Sequence, residues 1–132
     1  MERNTEIGNK AKGRGFTLVE LLLVLFLIAL LASLVMPVAT KSVDQAKESA
    51  LKEDLQVLRK AIDNYYANTG HYPQSLTQLV DKRYIRRIPV DPLTGLSSSW
   101  IETRAEDNGG GVSDVKSGAD GEASDGKPYR DW

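Results

Sequence analysis

Gly13-Arg14-Gly15-Phe16-Thr17-Leu18-Val19-Glu20 opens onto sixteen uncharged residues, 21–36, in which Ser33 is the one polar side chain. Residues 16–36 carry a single formal charge, Glu20. A bilayer core of about 30 Å is crossed by about 20 helical residues at a rise of 1.5 Å each. The stretch 16–36 is therefore predicted to be a membrane-spanning helix, with Pro37 where lipid ends. An acidic side chain in such a helix costs about 2.5–3.5 kcal/mol at mid-membrane and less near an interface. Two readings of Glu20 follow. It sits at headgroup level, or it meets a cation on a neighbouring copy. The most available cation is the amine freed if the chain is cut between Gly15 and Phe16.

The order Lys12-Gly13-Arg14-Gly15, then Phe16-Thr17-Leu18-Val19-Glu20-Leu21, resembles the leader junction of the type IV pilin-like prepilin family. The resemblance implies that a prepilin peptidase cuts after Gly15 and methylates the new amine of Phe16. It also implies that Glu20 neutralises a neighbour's amine during assembly. An ordinary secretory signal fits less well, because its small-residue cleavage site should follow the apolar run. Ala29, Ala32, Ser33 and Ala39 keep that alternative open.

With 132 residues, one small domain remains once the apolar helix is set aside. Four of the 17 basic and two of the 18 acidic side chains fall in residues 1–15, which leaves 13 and 16 and a net of −3 for the rest. The basic leader, with Arg3, Lys10, Lys12 and Arg14, is expected in the cytoplasm and residues 38–132 on the far side of the membrane. Arg83, Arg86 and Arg87 form a cluster too small for nucleic-acid binding, so no nucleic-acid partner is expected. The absence of cysteine excludes disulfides, thiol catalysis and cysteine-ligated metals. A small exported domain of this kind needs another staple, such as a bound ion or a second copy.

Beyond Pro37 the pattern becomes amphipathic. Val43, Ala46, Ala50, Leu51, Leu55, Leu58, Ala61, Ile62, Tyr65 and Tyr66 recur at steps of three and four. Glu48 and Lys52 fall on the polar side as an i,i+4 pair. Gly70 is a natural cap and Pro73 prevents resumption, so residues 16–69 make about 80 Å of helix, with a bend expected at Pro37. Ser75 to Val80 reads as a short helix with Ser75 as N-cap and Gln78 at the third position. Tyr72, Leu76, Leu79, Tyr84 and Ile85 are expected to pack on the long helix, and Asp91-Pro92-Leu93-Thr94-Gly95 to turn. Strands are expected at 99–106 and 112–116, joined through Asp107-Asn108-Gly109-Gly110-Gly111. The fold class is α+β: a long N-terminal helix, membrane-spanning in its first half, against a small antiparallel sheet.

His71 is the sole histidine, and no nucleophile or acid–base arrangement surrounds it, so the chain is not expected to be an enzyme. The C-terminal residues 116–132 alternate acidic and hydroxyl side chains with glycines. Such a loop either is simply solvated or converges its oxygens on a hard cation, of which Ca²⁺ takes about six to eight. It does not match an EF-hand.

The start at Phe16, Tyr65-Tyr66 leading to Gly70 and Tyr72-Pro73, the Asp91-Pro92 turn, and Ser117-Gly118-Ala119-Asp120-Gly121 ending in Trp132 resemble the major pseudopilins of type II secretion systems. That resemblance covers residues 15–132. It implies a structural Ca²⁺ held by Asp120 and Asp125, with Ser124 a weaker ligand. Leu93-Thr94-Gly95 and Pro128-Tyr129 depart from the family's commonest pattern. The implied organisation is a leader over 1–15, a transmembrane and filament-core helix over 16–37, and a periplasmic pseudopilin domain over 38–132. The implied function is a non-enzymatic subunit of an inner-membrane-derived filament whose growth drives protein export across the outer membrane. Its implied partners are further copies, minor pseudopilins, the inner-membrane assembly platform, the prepilin peptidase and membrane lipid. Two alternatives stand beside it. One is a type IV pilin for adhesion, motility or DNA uptake; the other is a single-span envelope protein that does not polymerise.

Overall fold

The computed structural model describes Arg3, Gly8 and residues 13–107 and 109–132, with the backbone alone at Pro37 and Val38. Lys10 and Lys12 of the expected leader and Asn108 of the hairpin lie outside the described residues. The chain divides into two compact units, Met1–Ala39 and Thr40–Trp132, which share the helix α1, Leu18–Thr69.

In the first unit, residues 13–17 are non-helical and α1 begins at Leu18. Thr17 is its cap: the hydroxyl accepts the backbone N–H of Glu20 at 3.1 Å. Thr-x-x-Glu is the sequence signature of a capping box, and a carboxylate in the first turn is also favoured by the helix dipole. From Leu18 to Met36 every side chain is exposed, Phe26 at 63 % and Leu34 at 66 %. The helical assignment continues through Pro37, although proline's missing N–H removes one rung of the ladder.

In the second unit, α1 runs on to Thr69 and stops at Gly70, whose φ of 79° is the left-handed conformation that ends helices. Its buried stripe is Leu51, Leu55, Leu58, Ala61, Ile62 and Tyr65. The expected stripe began earlier and ended later, but Val43, Ala46, Ala50 and Tyr66 are exposed; the apolar core starts at Leu51, about two turns beyond Val43. The short helix α2, Leu76–Asp81, lays Leu76 and Leu79 on the stripe. Ser75 caps it by accepting from Gln78 N at 3.3 Å, and Glu102 adds a second acceptor for Leu76 N at 3.1 Å. Tyr72, Tyr84 and Ile85 are half-buried against the same core.

Strands β1, Ile101–Arg104, and β2, Val112–Lys116, form an antiparallel pair in which Ile101 faces Lys116 and Glu102 faces Val115. β2 has the expected bounds, while β1 is shorter than 99–106, with the register shifting between Thr103 and Arg104. Val112 and Val115 bury one face of the pair. The Asp91 turn is held from inside: its Oδ1 accepts Leu93 N at 2.8 Å and its Oδ2 accepts the Ser117 hydroxyl. Gly118 follows because a Cβ there would lie 2.1 Å from the Ser99 carbonyl oxygen. The last residues close through a bridge between Glu122 and Pro128 and a 3-10 turn, Tyr129–Asp131.

Candidate functional site

Two places carry the residues singled out from sequence. The first is the junction. Gly15 and Phe16 lie in exposed, non-helical chain two residues before α1, and Phe16 is 87 % exposed. A peptide bond there is open to an enzyme that needs extended substrate. Glu20 stands on the third residue of the helix, its backbone bound to Thr17. Neither sequence expectation for Glu20, headgroup level or a neighbour's cation, included its place with Thr17 at the start of the helix. The signal was present in the Thr-x-x-Glu spacing.

The second place is the C-terminal loop, which is organised by a residue the sequence reading put on the polar face. Glu48 is buried, with 7 % exposure. Its Oε1 accepts Ser124 N at 2.8 Å and the Tyr129 hydroxyl at 3.1 Å; its Oε2 accepts the Ser124 hydroxyl at 2.7 Å. The Ser124 hydroxyl bond chiefly, with the Ser124 N–H and Tyr129 bonds, holds the Glu48 carboxyl below the usual carboxylate range against the opposing effects of burial and Asp125. Burial, reinforced by the bond to Glu48, pushes the Tyr129 phenol up. The expected Glu48–Lys52 pair does not form; the Lys52 ammonium lies 4.5 Å from the centre of the Trp132 ring. The signal for Glu48 is its spacing. It stands three residues before Leu51 and seven before Leu55, on the edge of the apolar stripe.

Arg59, about three turns beyond Glu48 on the same side of α1, holds the last residues. Its Nε donates to Asp114 Oδ1 at 2.8 Å, and its Nη2 donates to the carbonyls of Val115 at 3.1 Å and Trp132 at 2.8 Å. Tyr129 and Trp132 meet edge to face with centroids 5.5 Å apart.

Whether Asp120, Ser124 and Asp125 suit Ca²⁺ is decided by where their oxygens and hydrogens go. Asp120, 91 % exposed at its side chain, pairs with Arg130 at 2.6 Å. Asp125 accepts Lys127 N at 3.0 Å. Ser124 turns both its N–H and its hydroxyl hydrogen toward Glu48. A hard cation needs converging oxygen lone pairs. This loop aims donors inward and carboxylates outward, and no group of three acidic, histidine or cysteine side chains suited to a metal occurs among the described residues. In this arrangement the three residues do not fit the ion.

A family profile described as a prokaryotic N-terminal methylation motif matches residues 10–36. The chain is 35 % identical to the type II secretion system core protein G of Escherichia coli K12, over 61 % of this chain and 67 % of the relative. It is 35 % identical to the core protein G of Klebsiella michiganensis, over 62 % of this chain and 69 % of the relative. Against that of Aeromonas hydrophila it is 32 % identical, over 63 % and 69 %. No solved structure matches.

Proposed function

We propose how this chain, which belongs to the type II secretion system core protein G family and is a structural subunit of the pseudopilus, is processed and assembled. A prepilin peptidase cuts between Gly15 and Phe16 and methylates the Phe16 amine. The observation that carries this reading is the exposed junction set directly before a helix whose first nineteen residues are apolar or small except for Glu20. The uncut leader stays in the cytoplasm, the apolar half of α1 holds the subunit in the inner membrane, and Thr40–Trp132 lies in the periplasm.

On assembly, the apolar half leaves lipid for a bundle of its own kind. The Phe16 amine of one copy meets Glu20 of the next, because a carboxylate left unpaired in that bundle would be heavily penalised. Head-to-tail contacts whose rotation does not close into a ring build a fibre. Growth of the fibre from the inner-membrane platform, with minor pseudopilins, drives folded proteins across the outer membrane. The chain does no chemistry of its own in this reading; its relatives are core proteins of the secretion machinery.

The test is the intact mass and N-terminal sequence of the protein taken from its native membrane. A chain beginning at Phe16 with one added methyl is expected. A chain keeping Met1, or cut after residue 36, would contradict the processing and with it the assembly step that needs the new amine.

A further inference from the structure

We propose that Glu48 closes the C-terminal loop of this chain, doing with a protein carboxylate what the resemblance to major pseudopilins assigns to Ca²⁺. A cation site and an anion site make opposite demands on a loop. The first gathers carbonyl and carboxylate oxygens; the second gathers N–H and O–H donors. Residues 123–129 meet the second demand. Two donors from Ser124 and one from Tyr129 converge on the two oxygens of Glu48. The backbone is shaped to present them: Ala123 N donates to Lys127 O at 2.8 Å and Gly126 N to Ala123 O at 2.9 Å, so the loop is already a closed turn before it reaches α1.

The departure of this sequence at Pro128-Tyr129 then has a physical account. Near where the resemblance implies an acidic ligand, this chain carries Tyr129, a buried donor to the carboxylate on the helix. Lys52 against the Trp132 ring and Arg59 on the Trp132 carbonyl continue the attachment along the same flank of α1. The fold of the second unit is thereby complete without divalent metal, whatever the first unit assembles into.

The test uses the full chain in detergent micelles, followed by near-ultraviolet circular dichroism on heating and by trypsin cleavage at Arg130. For the unaltered chain, neither EDTA nor millimolar CaCl₂ is expected to move the melting temperature or the cleavage rate. Glu48→Gln keeps the shape but gives up the charge and one acceptor; it is expected to lower the melting temperature by several degrees and speed cleavage several-fold. Ser124→Ala, which removes one donor, should do the same to a smaller degree and serves if Glu48→Gln fails to fold. Asp120→Asn, which removes only the exposed partner of Arg130, should leave the melting temperature unchanged. A melting temperature of the unaltered chain that falls with EDTA and returns with CaCl₂, or an Asp120→Asn fall in melting temperature as large as that of Glu48→Gln, would overturn the proposal.

Discussion

The two halves of α1 are one helix by backbone and two different objects by side chain. In residues 18–36 no side chain is buried; in residues 48–65 seven are. Backbone conformation does not separate them, since both are helical throughout. What separates them is that the later half meets partners supplied by its own chain, whereas the earlier half exposes a full apolar surface. A surface of that kind needs lipid or other copies of itself to cover it. The later half is therefore a folding element and the earlier half an anchoring and assembly element.

The sharpest way to break that contrast is a matched pair of truncations. Leu58→Ala removes a side chain with no exposure, and a loss of about 2–5 kcal/mol is expected in chemical denaturation of the full chain in micelles. Leu25→Ala, on the exposed half, should leave that unfolding transition in place. Comparable losses from both would mean that the earlier half is packed within the chain after all.

A smaller effect belongs to Arg59, which holds β2 and the chain end with three bonds from one guanidinium. Arg59→Lys keeps the charge and loses the fork, and the expected cost is about 1 kcal/mol, since the pair with Asp114 is partly open to solvent. At the start of the helix, Thr17→Ala should cost about 0.5–1 kcal/mol locally, read as faster hydrogen exchange at the Glu20 amide with no change in the core. If exchange there is unaltered, Thr17 is not the cap.

The smallest effect is a matter of pH. Burial chiefly, with Glu53 and Asp91 nearby, raises the Asp54 carboxyl above its ordinary value. A carboxyl raised on folding binds its proton more readily in the folded state, so the fold gains stability as pH falls through that raised value toward the ordinary one. Asp54→Asn should slightly raise the melting temperature at neutral pH and flatten this part of the acid profile. A variant less stable than the unaltered chain at neutral pH would show that the charge is held favourably.

The long helix, the Ser75 cap, the bounds of β2 and the Gly70 stop were legible because each is written in local spacing or in one residue's conformational preference. The methylation motif matched over residues 10–36 was legible for the same reason, since it is written in one local stretch. Glu48 was not, because its meaning depends on Ser124 and Tyr129, seventy-six and eighty-one residues away. A carboxylate at the edge of an apolar stripe looks solvated until the chain that covers it is known. Asp91 with Ser117 and Arg59 with Trp132 were hidden in the same way.

The central claim is that the apolar half of α1 is covered by the same half of other copies. The chain has no cysteine, so paired substitutions drawn from Leu22→Cys, Ile28→Cys and Leu34→Cys can be oxidised in the fibre fraction without background. The account predicts a ladder of disulfide-linked multimers that disappears when Glu20→Ala is added, with membrane insertion unchanged. Monomer alone at every pair of positions, in a fraction shown to contain fibres, would contradict it.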